Sequence, residues 1–166
     1  MAKTVVTRAE FAEMFIKIMN IRLKTPDYRH DIRKRASTQH KYGDFKDVDY
    51  AGNEYKFIET AVYRGLFPDI SKYEFHPDMP ISRAAVAYAL FMNFDLPDAG
   101  PVVIKDIVDS NHLFNQIQIV AGLGIIKLDS NNRFLPDSPV SGKEVFQIIS
   151  RAKDRRLNGQ LKMMAS

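Results

Sequence analysis

The chain predicts an all-α fold, a bundle of repeated helix-loop-helix units set about a pseudo-threefold axis. Three times a Ser or Thr stands just before a run with helical apolar spacing: Val6-Thr7-Arg8-Ala9-Glu10, Ile81-Ser82-Arg83-Ala84-Ala85 and Val140-Ser141-Gly142-Lys143-Glu144. Landmarks around the second and third copies keep one offset. Asp106, Gly124, Phe134, Pro136 and Ser141 each stand 59 residues after Asp47, Gly65, Phe75, Pro77 and Ser82. A fixed period marks a supersecondary unit that cannot bury its apolar face alone and must pack against its copies. With 166 residues, 45% of them hydrophobic and 27% charged, the chain can build one real core. It reads as a single domain over 1–166, with units at about 5–20, 45–97 and 104–156 and an insertion at 21–44.

The first helix is expected from Thr7 to about Met19, because Phe11, Phe15 and Ile18 recur at i, i+4 and i+7 with Met14 beside them. Thr7 and Glu10 fit a capping box, in which hydroxyl and carboxylate each take the other residue's amide. Ser141 and Glu144 repeat it, whereas Ser82 has Ala85 in place of the acid. Loss of such a hydroxyl costs about 1 kcal/mol. The polar segment from Ile21 to Asp44 reads as a loop with a short helical piece near Tyr28 to Ala36. A second helix is expected from about Asn53 to Arg64, ended by Gly65 in the left-handed conformation, and its copy from about His112 to Leu123, ended by Gly124. Each leads to an aromatic-X-Pro-Asp element, Phe75-His76-Pro77-Asp78 or Phe134-Leu135-Pro136-Asp137. This element is too short and Pro-rich for a central strand and reads as an extended bridge into the next capped helix. The helix after Ser82 is apolar on nearly every side and must be surrounded; the one after Ser141 should turn Val145, Phe146, Ile148 and Ile149 inward and end in a solvated run, Arg151 to Arg156.

Composition excludes several classes of function. No apolar stretch approaches the roughly 20 residues of a membrane span, and Met1-Ala2-Lys3-Thr4 has no signal-type apolar region. With no cysteine there is no disulfide or thiolate metal site. His30, His40, His76 and His112 have no metal-ligand spacing, Gly122-Leu123-Gly124 is a helix end and not a dinucleotide fingerprint, and no catalytic constellation is visible. The expectation is a non-enzyme without cofactor. The net charge of +4 is local: Arg22 to Lys41 holds seven Lys or Arg against Asp27 and Asp31. That basic loop, with Arg29, Arg33, Lys34 and Arg35, is either a solvated face or a grip for phosphate, acidic polymer or lipid.

The ordered motifs resemble the S-layer homology repeat. They are Phe45-Lys46-Asp47-Val48, Arg64-Gly65-Leu66-Phe67 and Phe75-His76-Pro77-Asp78-Met79-Pro80-Ile81-Ser82-Arg83-Ala84-Ala85 in one unit. Ile104-Lys105-Asp106-Ile107, Leu123-Gly124-Ile125-Ile126 and Phe134 to Glu144 follow in the next, and Val6-Thr7-Arg8-Ala9-Glu10-Phe11 supplies a half unit at the start. About two and a half repeats are represented. The chain departs from the pattern in having no Trp, with Tyr50, Tyr55 or Phe114 at the aromatic position, and in lacking the Gly-rich turn before each Phe-X-Pro element.

The resemblance implies a non-catalytic, exported domain of the bacterial cell surface or envelope that grips an anionic wall polysaccharide, often pyruvylated, or a peptidoglycan-linked polymer. Carried over by position, the motif arginine is Arg8 and Arg83, and the third place holds Gly142 with Lys143 beside it. Asp47 and Asp106 would shape a groove or serve as turn residues, and Thr7, Glu10, Ser82, Ser141 and Glu144 would cap helices at the site. An Arg in a first turn sets its planar fork beside amide donors and the positive end of the helix dipole, a setting suited to a carboxylate. Two alternatives stand beside this: a degenerate repeat scaffold that docks another envelope protein through loop 22–41, and, less favoured, nucleic-acid binding.

Overall fold

The computed structural model describes residues 4–24, 45–49, 51–71 and 73–165, with side chains to residue 156. Among them the structure is helical: α1 (Arg8–Ile18), α2 (Glu54–Tyr63), α3 (Arg83–Asn93), α4 (Phe114–Gly122) and α5 (Gly142–Ala165), with isolated bridge pairs and no sheet. The helical piece expected at 28–36 lies outside the described residues. The chain divides into two compact units, Thr7–Met79 and Pro80–Ser166 joined by Met1–Val6.

In the unit Thr7–Met79, α1 packs against α2. The capping box forms as the sequence predicts: the Glu10 amide donates to Thr7 Oγ1 at 3.2 Å and the Thr7 amide to Glu10 Oε2 at 2.9 Å. The core is aromatic. Phe11 meets Phe15 at 5.9 Å and Phe67 edge-on at 6.1 Å, while Phe67 meets Phe75 edge-on at 4.9 Å and Phe45 meets Phe75 at 5.5 Å. Such pairs add about 0.5–1.5 kcal/mol each beyond burial. Thr60, buried in α2, donates its hydroxyl to the Lys56 carbonyl and accepts the Lys24 amide at 2.9 Å, which fastens the segment leaving α1.

The second unit packs α3 against α4 and, less extensively, against α5. Ser82 Oγ accepts the Ala85 amide at 3.1 Å, and Ser141 with Glu144 closes the second capping box at 3.3 Å in both directions. Short extended segments ahead of the capped helices pair with one another: the Val6 amide donates to Val140, the Ile81 amide donates to Val6, and Val5 bridges Ser141 as Ser82 bridges Pro139. Ile81, Val86, Leu90, Ile117, Val120, Ile125, Phe134, Val140, Val145 and Ile149 are fully buried.

The 59-residue offset seen in the sequence is an offset of hydrogen bonds. Gly65 and Gly124, at φ +70° and +69°, close matching helix ends in which the next residue, Leu66 or Ile125, donates back to Ala61 or Val120. Asp47 accepts the Phe75 and His76 amides at 2.9 and 2.7 Å, and Asp106 accepts those of Phe134 and Leu135 at 2.7 and 2.8 Å. The aromatic-X-Pro-Asp element is therefore not the extended bridge expected. Its X residue, His76 or Leu135, is left-handed at φ +59° or +58°, and its carbonyl accepts from Met79 or Ser138 in a tight turn.

Three readings of helix faces are corrected. Phe146 is 57% exposed, because Val145, Ile148 and Ile149 already fill the inward stripe of α5. The α3 helix is enclosed along its length, with Val86, Ala87, Ala89 and Leu90 fully buried, and opens only at its last turn, where Met92 is 50% exposed. The solvated run begins later than expected: Ala152 is fully buried and Arg151 is half-buried, its Nη1 donating to the Ile125 carbonyl at 3.0 Å. Asp106→Ala strips two amides of a charged acceptor and is expected to cost about 1–3 kcal/mol in denaturant unfolding. By contrast, Phe146→Ser should change stability by less than about 0.5 kcal/mol.

Candidate functional site

Both arginines singled out in the sequence are the first residues of capped helices, and both are seated on an Asp-held turn. Arg8 Nε donates to the Phe75 carbonyl at 2.8 Å and Arg83 Nε to the Phe134 carbonyl at 2.7 Å. The guanidinium carbon lies 5.0 Å from the centre of the Phe75 ring in one case and 5.1 Å from that of Phe134 in the other. The helix-start amides are not free for an anion. Arg8 and Ala9 donate to the Met79 and Pro77 carbonyls, as Arg83 and Ala84 do to Ser138 and Pro136. Any anion met here is met by side chains.

Surroundings separate the two. Arg8 is 5% exposed, lies 4.9 Å from the Phe67 ring and pairs through Nη1 with Asp69 at 3.2 Å. Arg83 is half-buried and donates Nη2 to the Lys127 carbonyl at 2.7 Å. Burial lowers its pKa below the ordinary value, while Glu144, Asp106 and Asp129 act in the opposite sense. It opens into a cleft of about 230 Å³ lined by Ile126, Lys127, Glu144, Gln147, Ile148 and Arg151. Three cations and one carboxylate thus face a concave space closed at its base by the buried Ile126 and Ile148, the chemistry of an anion site. A larger cleft of about 540 Å³ between α3 and α4, with Phe91, Phe114 and Gln118, has Asp98 as its one charged lining residue and does not suit an anion.

The other expected site residues serve the frame. Asp47 and Asp106 spend both carboxylate oxygens on the turns, neither capping a helix nor facing the cleft. Lys143 is exposed at the start of α5 and does not line the cleft. Gly142 takes the third Arg place although a Cβ there would meet Val6 alone, at 3.8 Å. Arg29, Arg33, Lys34 and Arg35 lie outside the described residues. Sequence reasoning missed Lys127, Arg151 and Asp69. For Arg151 a signal existed, since Glu144, Gln147, Ile148 and Arg151 share one helical face. Among the described residues no helix is long and apolar enough to cross a membrane, and no His, Cys, Asp and Glu cluster is suited to a metal ion.

A family model described as S-layer homology domain matches residues 44–87 and 104–146, just over half of the chain. The chain belongs to the S-layer homology family. Members are generally non-catalytic cell-wall anchoring modules that bind wall polymers and occur in cell-surface proteins. No curated protein matches the chain at a significant level. The two matched segments each run from just before the Asp clamp into the first turns of the next capped helix, so they contain the turn, its Asp and the cap. In this S-layer homology chain the wall of the cleft near Lys127 is fixed by Asp129. The Arg133 amide above all, with the Arg133 side chain and the Asn131 amide, holds the Asp129 carboxyl below its usual range. A depressed folded pKa gives stability that is present above the unfolded value and lost as pH falls through the folded one. The protection factors of the Asn131 and Arg133 amides, corrected for the pH dependence of intrinsic exchange, should therefore hold from neutral pH down to the ordinary aspartate range and fall below it.

Proposed function

We propose that this chain anchors a protein to the bacterial cell wall by holding an anionic, pyruvate-bearing wall polysaccharide in the Arg83 cleft. The observation that carries the reading is the convergence of Arg83, Lys127 and Arg151 on one half-apolar concavity in a chain of this family. A pyruvate ketal combines the two features the cleft answers. Its carboxylate suits the arginine fork and the lysine ammonium, and its methyl and sugar ring suit the aliphatic stems of Lys127 and Arg151. Charge-assisted hydrogen bonds of this kind contribute about 1.5–3 kcal/mol each. Two of them in a partly desolvated cleft give a carboxylate-selective grip, although the helix-start amides are already taken.

The separation of duties supports anchoring over chemistry. Arg83 is held on two sides by main-chain carbonyls, and Arg151 by one, so both cations are fixed before a ligand arrives and little ordering cost remains. Lys127 is exposed and has no structural task beyond its carbonyl, so charge reversal there tests the site without touching the core. In sedimentation with purified cell walls, Lys127→Glu is expected to weaken binding at least about tenfold, equivalent to about 1.4 kcal/mol, with an unchanged melting temperature. Wall preparations stripped of pyruvyl groups should weaken the wild type to a similar degree. Undiminished sedimentation of Lys127→Glu would exclude the cleft as the wall-binding site.

A further inference from the structure

Repeat symmetry offers two equivalent arginines, yet the outer edges of their guanidinium groups meet different partners. Around Arg83, the residues that follow the Gly124 helix end are Ile125, Ile126, Lys127 and Leu128. Around Arg8, the corresponding residues after Gly65 are Leu66, Phe67, Pro68 and Asp69. At two of these places the change bears on anion access. Phe67 stands where Ile126 stands and stacks on the Arg8 guanidinium at 4.9 Å. Asp69 stands where Leu128 stands and delivers a carboxylate oxygen to Arg8 Nη1 at 3.2 Å. Around Arg83 that place is filled by the uncharged Leu128, while Glu144, Asp106 and Asp129 act on it electrostatically.

We propose that Asp69 is a built-in substitute for the ligand carboxylate: it occupies the Arg8 position, so the chain takes up one anionic group, at Arg83, where the repeat provides two seats. The inference rests on the reading of Arg83 as the carboxylate-binding residue. Asp69 itself is 62% exposed at its side chain and pairs with Arg8. An exposed pair of this kind adds little to stability. Its effect is on occupancy. A tethered carboxylate competes at an effective concentration in the millimolar range or above, so an outside carboxylate of similar intrinsic affinity displaces it only above that concentration. Leu128, lacking charge, adds no such competitor at the Arg83 seat.

The test uses the full chain and one probe, the methyl glycoside of a pyruvate-ketal hexosamine, titrated by calorimetry into the wild type, Asp69→Ala, Asp69→Asn, Arg83→Ala and Asp69→Ala with Arg83→Ala. The wild type should bind one equivalent, both Asp69 variants two, Arg83→Ala none, and the double variant one. If the Asp69 variants keep one equivalent and the double variant binds none, the Asp69 role is overturned while the Arg83 cleft stands. If the wild type binds none but the double variant binds one, the reverse holds: Asp69 plugs Arg8 and the Arg83 reading fails. Absence of binding by every variant overturns both. Asp69→Asn keeps the shape of the side chain, so agreement between it and Asp69→Ala separates loss of charge from local rearrangement.

Discussion

A left-handed residue ahead of a proline does not hold its conformation unaided. His76 and Leu135 sit at φ +59° and +58°, where an L-residue is disfavoured by roughly 1–2 kcal/mol, and the following Pro makes the choice worse. What offsets the strain is a carboxylate from far upstream, Asp47 or Asp106, which accepts that residue's amide together with the amide before it. Once the amides are fixed, the carbonyls of the same turn face the start of a capped helix. There Phe75 and Phe134 take the arginine Nε, and Pro77 and Pro136 take the next amide of the helix. Helix capping, arginine placement and the join between successive elements all depend on that clamp.

The same clamp has a consequence for recognition. Because the turn carbonyls consume the first helical amides, the helix dipole supplies no free donor to a ligand, and selectivity passes to side chains that the turn has oriented. Arg83 then works together with Lys127 and Arg151 over an isoleucine floor. Arg8, built by identical main-chain bonds, is enclosed by Phe67, Phe75 and Asp69. Two copies of one backbone device therefore present opposite environments, set by the few residues after each glycine helix end.

Much of the helical frame was legible because it is local. Thr7 with Glu10, Ser82, Ser141 with Glu144, and the helix-ending Gly65 and Gly124 each act within a few residues of their own position, which a linear reading can see. The family pattern added the order of the motifs. What was not legible is long-range: the carboxylates of Asp47 and Asp106 act 28 and 29 residues downstream, and Arg151 reaches a carbonyl 26 residues before it. Phe146 misled because an apolar residue beside a filled stripe looks the same in sequence whether it faces in or out. The pre-proline rule misled at His76 and Leu135 because a tertiary bond overrides a local preference. Lys127 gave no signal of its own, since its place on the cleft follows from where the turn after α4 lies.

Backbone and arginine side-chain shifts, followed by nitrogen-resolved NMR as pyruvylated wall polymer is added to the wild-type chain, locate the ligand without any substitution. The largest changes should fall on Arg83 Nε and on Ile126, Lys127, Gln147 and Arg151, with Arg8 Nε unmoved. Changes centred on residues 25–44, or spread over α2 with Arg83 unaffected, would contradict the assignment of the cleft.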